Sequence, residues 1–110
     1  MFCISFHIAP EHSRHFDQQA FLEKVSSIRS PEIDAFEDKK QFHLSFHFFS
    51  EFPSELWSSL EATIFDDSDY SHQLSTICVI TCEGEKEEDY WLIYHYDKNQ
   101  PLDKLPQNLK

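Results

Sequence analysis

The sequence predicts an α+β fold in which two helices pack on one face of a four-stranded mixed or antiparallel sheet, in the order β-α-β-α-β-β. The segments 2–8, 41–52 and 89–96 alternate apolar and polar side chains, which is typical of strands with one buried face. Segment 17–29 instead spaces its apolar residues as an amphipathic helix does. The seventeen aromatic residues among 110 supply bulky groups for the core of a single domain.

A predicted loop and helix follow the first strand. Residues 9–15 contain a proline and mixed charges, which favour a loop. Asp17 suits the N-cap of the helix over 17–29, and Phe16 and Phe21 occupy the positions of a hydrophobic staple. The helix is expected to end before the serine and proline that follow it.

Segment 41–52 is predicted to be the central strand, because its apolar side chains alternate with imidazoles and a hydroxyl. The charged segment 32–40 before it is interpreted as a connection. Pro53 begins a second predicted helix over 53–65, with apolar residues at helical spacing. Residues 66–72, which include three aspartates, are expected to form a polar loop.

The C-terminal part predicts a β-hairpin. Segment 74–82 is almost wholly apolar or β-branched, residues 83–88 form a charged loop, and 89–96 returns as an antiparallel strand. The rest of the chain has two prolines and little periodicity. We therefore divide the chain into an α+β domain over 1–96 and a peripheral C-terminal tail over 97–110, and no linker or internal repeat is evident.

Two helices on one face would leave the other face of the sheet partly open. The strand alternation assigns seven residues to that face: Ser5, His7, His43, Ser45, His47, Trp91 and His95. On a strand, the Cα atoms of His43 and His47 are about 13 Å apart. One zinc ion with bonds of about 2.1 Å does not span that distance. We predict no metal site and no cofactor.

His43-Leu44-Ser45 resembles one half of the duplicated His-x-Ser/Thr signature of the 2H phosphoesterases. The resemblance implies phosphodiester or RNA hydrolysis, with one imidazole as base and another as acid. The sequence contains no second His-x-Ser/Thr element. We therefore assign no catalytic residue and predict that the protein is not an enzyme.

The cysteines and the N-terminus indicate a cytoplasmic protein. On one strand, Cys78 and Cys82 have Cα atoms about 13 Å apart, whereas a disulfide needs less than about 7 Å. These two and Cys3 are expected to be reduced thiols. The first apolar run stops at His7, so we expect neither a signal peptide nor a membrane span.

The distribution of charge is the main indication of function. The chain has twenty acidic and nine basic residues, a net charge of −11. Between residues 51 and 89 there are eleven acids against one base, Lys86, so this third of the chain carries nearly all the net charge. The acids are Glu51, Glu55, Glu61, Asp66, Asp67, Asp69, Glu83, Glu85, Glu87, Glu88 and Asp89. Acidity selected only for solubility would be spread more evenly.

Such a surface repels nucleic acid and anionic membranes, and it attracts a basic protein. We expect a bacterial immunity protein, or antitoxin, that neutralises a basic nuclease toxin by occluding its active site. The eleven acids and Trp91 are the predicted partner-binding residues. The alternative is a nucleic-acid mimic of the anti-CRISPR or anti-restriction type, and a further alternative is a His-dependent phosphodiesterase or RNase.

Overall fold

The structure, a computed structural model, describes residues 1–106 and 109 and confirms the α+β class. Within those residues it contains one antiparallel sheet of five strands and four helices, where the sequence predicted four strands and two helices. The strands are β1 (Phe2–Ile8), β2 (Glu32–Asp38), β3 (Gln41–Ser50), β4 (Cys78–Glu83) and β5 (Tyr90–His95). The helices are α1 (Pro10–Ser13), α2 (Gln18–Val25), α3 (Pro53–Ile64) and α4 (Asp69–Ser75).

The strand order is β2-β3-β1-β4-β5, so β1 is the central strand and β3, predicted to be central, lies beside it. Directly opposed residues in an antiparallel sheet point to the same face. Phe6 lies opposite Phe46 on one side and Ile80 on the other, and all three are buried. The helix-covered face therefore carries Ile4, Phe6, Ile8, Leu44, Phe46, Phe48, Cys78, Ile80 and Cys82.

Helices α2, α3 and α4 bury their apolar residues against this face and complete one core. Asp17 caps α2 as predicted, because its carboxylate accepts a hydrogen bond from the Ala20 amide at 3.0 Å. The predicted staple is also present, with the Phe16 and Phe21 ring centroids 6.0 Å apart. Helix α2 ends at Val25, earlier than predicted, and the chain continues in turns.

The interpretation of segment 32–40 as a connection is wrong. This segment forms the edge strand β2 and a tight turn. Lys39 and Lys40 make that turn with φ of 50° and 67°, the left-handed conformation that a two-residue hairpin turn requires. Every residue of β2 is exposed. Because neither face of β2 is buried, its sequence shows no apolar alternation.

Two further boundaries differ from the prediction. The predicted loop 9–15 contains the short helix α1, and the predicted loop 66–72 contains the start of α4. Ser68 is the N-cap of α4 and accepts a hydrogen bond from the Ser71 amide at 3.2 Å. The strand predicted from residue 74 therefore begins only at Cys78.

The face predicted for Trp91 is also wrong. The pairing of β4 with β5 contains an irregularity between Ile80 and Thr81, which shifts the register by one residue. Trp91 consequently lies opposite Cys82 on the helix-covered face, with its ring 6.4 Å from that of Phe2. The other six residues assigned to the open face do lie on that face, as the residues opposite them in the paired strands show.

The chain after β5 returns to the outer edge of this strand at Asp103. Asp103 accepts a hydrogen bond from the Leu92 amide through its carboxylate at 2.9 Å and donates its own amide to the Leu92 carbonyl at 2.8 Å. Leu105 packs against the core. The tail predicted over 97–110 falls partly on residues 107, 108 and 110, which lie outside the described residues.

Candidate functional site

The loop between β4 and β5, together with its flanking residues, carries five acids, which we call the hairpin acids: Glu83, Glu85, Glu87, Glu88 and Asp89. Backbone hydrogen bonds hold this loop in shape. The Gly84 amide donates to the Asp89 carbonyl at 2.9 Å, and the Asp89 amide donates to the Lys86 carbonyl at 3.0 Å. Backbone hydrogen bonds therefore fix the positions of the acids, and most of the carboxylates take no part in holding the loop.

Gly84, the single glycine of the chain, allows a close approach inside this loop. A Cβ atom added at Gly84 would lie 2.6 Å from Asp89 Oδ2 and 2.8 Å from a ring carbon of Phe2. Both distances are far below van der Waals contact. The position thus requires glycine, and the loop is packed against the start of β1.

Glu51 joins the hairpin acids at the same end of the sheet. Strand β3 ends at Ser50, opposite Phe2, and β4 ends at Glu83, opposite Cys3. The Met1 amino group contacts Glu85 and lies 3.8 Å from Glu51. Its hydrogen bond to Glu85 raises the pKa of the amino group and lowers the pKa of the Glu85 carboxyl.

A second group, which we call the α4 acids, consists of Asp66, Asp67 and Asp69 at and before the start of α4. Asp66 accepts hydrogen bonds from Lys24 Nζ at 2.8 Å, from the Ser68 amide at 3.0 Å and from Ser71 Oγ at 2.7 Å. The bond from Lys24, followed by those from the serines, holds the pKa of the Asp66 carboxyl far below its usual range. Asp66 is thus a structural residue that joins α2 to α4.

The two groups lie at opposite ends of the sheet. Helix α3 runs from Pro53, beside the end of β3, to Ile64, and α4 then leads into Cys78 opposite Ile8 at the far end of β1. Glu55 and Glu61 are exposed on α3 between the groups. Within residues 1–106 and 109, seven of the eleven acids form no ion pair: Glu55, Glu61, Asp69, Glu83, Glu87, Glu88 and Asp89. Four of those seven belong to the hairpin acids.

On the open face, cross-strand hydrogen bonds join β1 to β3 and β4. Ser5 Oγ lies 2.7 Å from His47 Nδ1, and Ser45 Oγ lies 3.0 Å from His7 Nδ1. His7 Nε2 lies 3.2 Å from Thr81 Oγ1. These bonds pair polar groups that the sheet partly or wholly buries, which removes the penalty of leaving them unsatisfied.

This arrangement comes from a short repeat in the sequence that alternation alone does not reveal. The tripeptide Ser-Phe-His occurs at 5–7 and again at 45–47. Because β1 and β3 are antiparallel, the two copies face each other head to tail, with Ser5 opposite His47 and His7 opposite Ser45. A search for repeated tripeptides on the two alternating strands would have found it.

The side chains of the open face interact with one another in ways that stabilise the sheet. Both ring nitrogens of His7 are bonded to hydroxyls, and burial, with a smaller contribution from His47, lowers the pKa of His7. His43 stacks on Phe36 with ring centroids 4.8 Å apart. Burial raises the pKa of the Cys3 thiol, which disfavours the reactive thiolate. Across the described part of the chain, no group of three or more potential metal ligands converges.

The other two cysteines lie on β4, as predicted. Cys78 and Cys82 are buried on the helix-covered face and are not disulfide-bonded. Burial raises the pKa of each thiol to about 12. They therefore act as apolar core residues.

The chain matches no known protein-family model, no curated protein and no solved structure at a significance that would indicate a relationship. Of the helices in the described residues, none has the length and apolar character needed to cross a lipid bilayer.

Proposed function

We propose that this protein binds a basic protein partner and neutralises it, in the way that an acidic immunity protein blocks a nuclease toxin. The observation that carries the proposal is the convergence of the five hairpin acids and Glu51 at one end of the sheet. The positive groups placed among these six are the Met1 amino group and Lys86. This end of the molecule therefore keeps a negative charge that a cationic surface would complement.

The hairpin acids support the proposal better than the α4 acids do. Asp66 already has a lysine and two serines as partners, and Asp67 lies 3.3 Å from His72. In contrast, Glu87 and Glu88 are exposed and form no ion pair among the described residues. A carboxylate that has no partner in the free protein gives up no existing ion pair when it binds an arginine or lysine of another protein. Its contribution to the binding free energy is therefore not reduced by a broken interaction.

Apolar side chains near the hairpin acids could supply affinity. Exposed ion pairs contribute mainly to the association rate, whereas buried aromatic residues often dominate binding energy. Tyr90 follows the hairpin acids and is 53% exposed, and Phe52 follows Glu51 and is 52% exposed. We assign these two aromatic residues to the proposed interface in place of Trp91, whose ring packs against the core.

The two alternatives receive less support. A nucleic-acid mimic needs carboxylates spaced regularly along a path, as phosphates are. Here nine of the eleven acids form two groups at opposite ends, with Glu55 and Glu61 between them, and one of the two groups serves the fold through Asp66.

A phosphodiesterase needs two imidazoles, one as base and one as acid. His43, the histidine of the His-x-Ser element, stacks on Phe36, both nitrogens of His7 are bonded to hydroxyls, and no second His-x-Ser/Thr element is present in the sequence. Occlusion of a basic site therefore remains the function we propose.

The test is charge reversal at the hairpin, in the pair Glu87→Lys and Glu88→Lys. The variant is measured against a panel of basic bacterial nuclease toxin domains by surface plasmon resonance. For a domain that binds the unaltered protein, we expect the association rate at low salt to fall about tenfold and its salt dependence to flatten, because steering by the hairpin acids is lost.

The matched control is Glu11→Lys with Glu23→Lys, which changes the net charge equally at exposed positions on α1 and α2. We expect its association rate to fall much less. An equal loss in both variants would show that only the total charge matters. Failure of every basic domain to bind the unaltered protein would reject the proposal.

A further inference from the structure

The two edge strands of the sheet, β5 and β2, differ in how their outer backbone groups are covered. The outer edge of β5 is covered around Leu92 by the paired hydrogen bonds of Asp103, and β5 carries the irregularity in its pairing. At the other edge, β2 pairs only with β3, and no strand of the described residues lies outside it. Its outward backbone amides and carbonyls are therefore available as a template for another strand.

The geometry of β2 suits such pairing. All seven residues, Glu32–Asp38, pair with β3 in a continuous register without a bulge, and all seven are exposed. The segment contains neither proline nor lysine, and its four acids protect it against pairing with another acidic strand but not against a basic one. Ile33 is 46% exposed and Phe36 is 50% exposed, so the edge also offers apolar contact area.

The side chains of β2 restrict what could pair with it. Glu32 lies opposite His47 and Asp34 opposite Ser45, so both carboxylates lie on the open face. Neither forms an ion pair within residues 1–106 and 109. Ile33 and Ala35 point to the other face. A second copy of this chain would bring carboxylates against carboxylates, which is unfavourable.

We propose that β2 receives an extended basic segment of another protein as a sixth strand of the sheet. Its lysine or arginine side chains lie over Glu32 and Asp34, and the alternating apolar side chains lie over Ile33. Main-chain hydrogen bonds supply affinity and the alternation supplies specificity. The site is separate from the hairpin acids and does not depend on the function proposed above.

The test uses the full chain, labelled with ¹⁵N, and a seven-residue peptide that alternates arginine and valine. We expect saturable amide shift changes centred on 32–38, together with slower hydrogen exchange of the outward β2 amides. Two further peptides carry N-methyl groups on either the arginine or the valine amides. Because a strand directs only alternate amides toward its neighbour, one of these peptides should keep its affinity and the other should lose at least about tenfold.

Two variants of the protein separate this site from the hairpin. Glu32→Lys with Asp34→Lys should weaken the peptide at least about tenfold, whereas Glu87→Lys with Glu88→Lys should change its affinity less than about twofold. Equal binding of both methylated peptides, or shift changes centred on the hairpin, would show plain electrostatic attraction and overturn the proposal. Self-association of the free protein through β2, seen by sedimentation, would overturn it as well.

Discussion

The α4 acids and the hairpin acids contain the same chemical groups, but the fold uses them in opposite ways. Asp66 accepts hydrogen bonds from three other residues and ties two helices together. The hairpin is held by its backbone and by the close approach at Gly84, so Glu87 and Glu88 remain without ion pairs among the described residues. A count of acids therefore does not separate structural carboxylates from available ones.

The largest effect expected from this comparison is on the hairpin backbone. Gly84→Ala places a methyl group within 2.8 Å of the Phe2 ring and closer still to Asp89. We expect it to lower the free energy of unfolding by about 1–3 kcal/mol, since overpacking forces the loop away from β1. Lys86→Ala in the same loop is the control and should change it by less than about 0.5 kcal/mol in urea unfolding.

The pH dependence of stability should distinguish the α4 acids. Asp66 has a folded-state pKa far below its unfolded value, so its ionised form stabilises the fold above about pH 4 and this contribution is lost as the pH falls. Asp66→Ala should therefore destabilise the protein clearly at pH 7 and less at pH 3. Glu61→Ala, at an exposed position of α3, should show little change at either pH. A constant deficit for Asp66→Ala across this range would contradict the assigned role.

The smallest effect is expected for neutral substitutions at the hairpin. Glu87→Gln with Glu88→Gln removes repulsion among the hairpin acids without removing any described ion pair. The free energy of unfolding should rise by less than about 0.5 kcal/mol at low salt, and the gain should vanish at high salt, where charges are screened. A loss of stability would show that these carboxylates have partners within the fold.

The strands with one buried face could be predicted from the sequence. In β1 and β3, burial selects an apolar residue at every second position, and this period is visible in the chain. The N-cap at Asp17 could also be predicted from the sequence, because the start of a helix needs a short polar side chain at one position.

Other features depend on long-range contacts or on irregular backbone. Edge strand β2 has no buried face, so no period was selected in it. One irregularity in the pairing of β5 moved Trp91 to the helix-covered face, and alternation alone does not reveal it. The bond between Lys24 and Asp66 joins residues 42 positions apart, so the neutralisation of that acid was invisible in the local sequence.

The turn between β2 and β3 exposes one peptide segment to proteolysis. Lys39 and Lys40 are adjacent, exposed and at the tip of a hairpin, so trypsin-like proteases that cut after lysine can cleave there once the outer end of the hairpin opens. A cut there would leave β3 joined covalently to everything after it and β2 joined to everything before it. The two pieces would stay together through the contacts of β1 and α2 with the rest of the core, so a nicked molecule would keep its shape while its outermost strand gained a loose end.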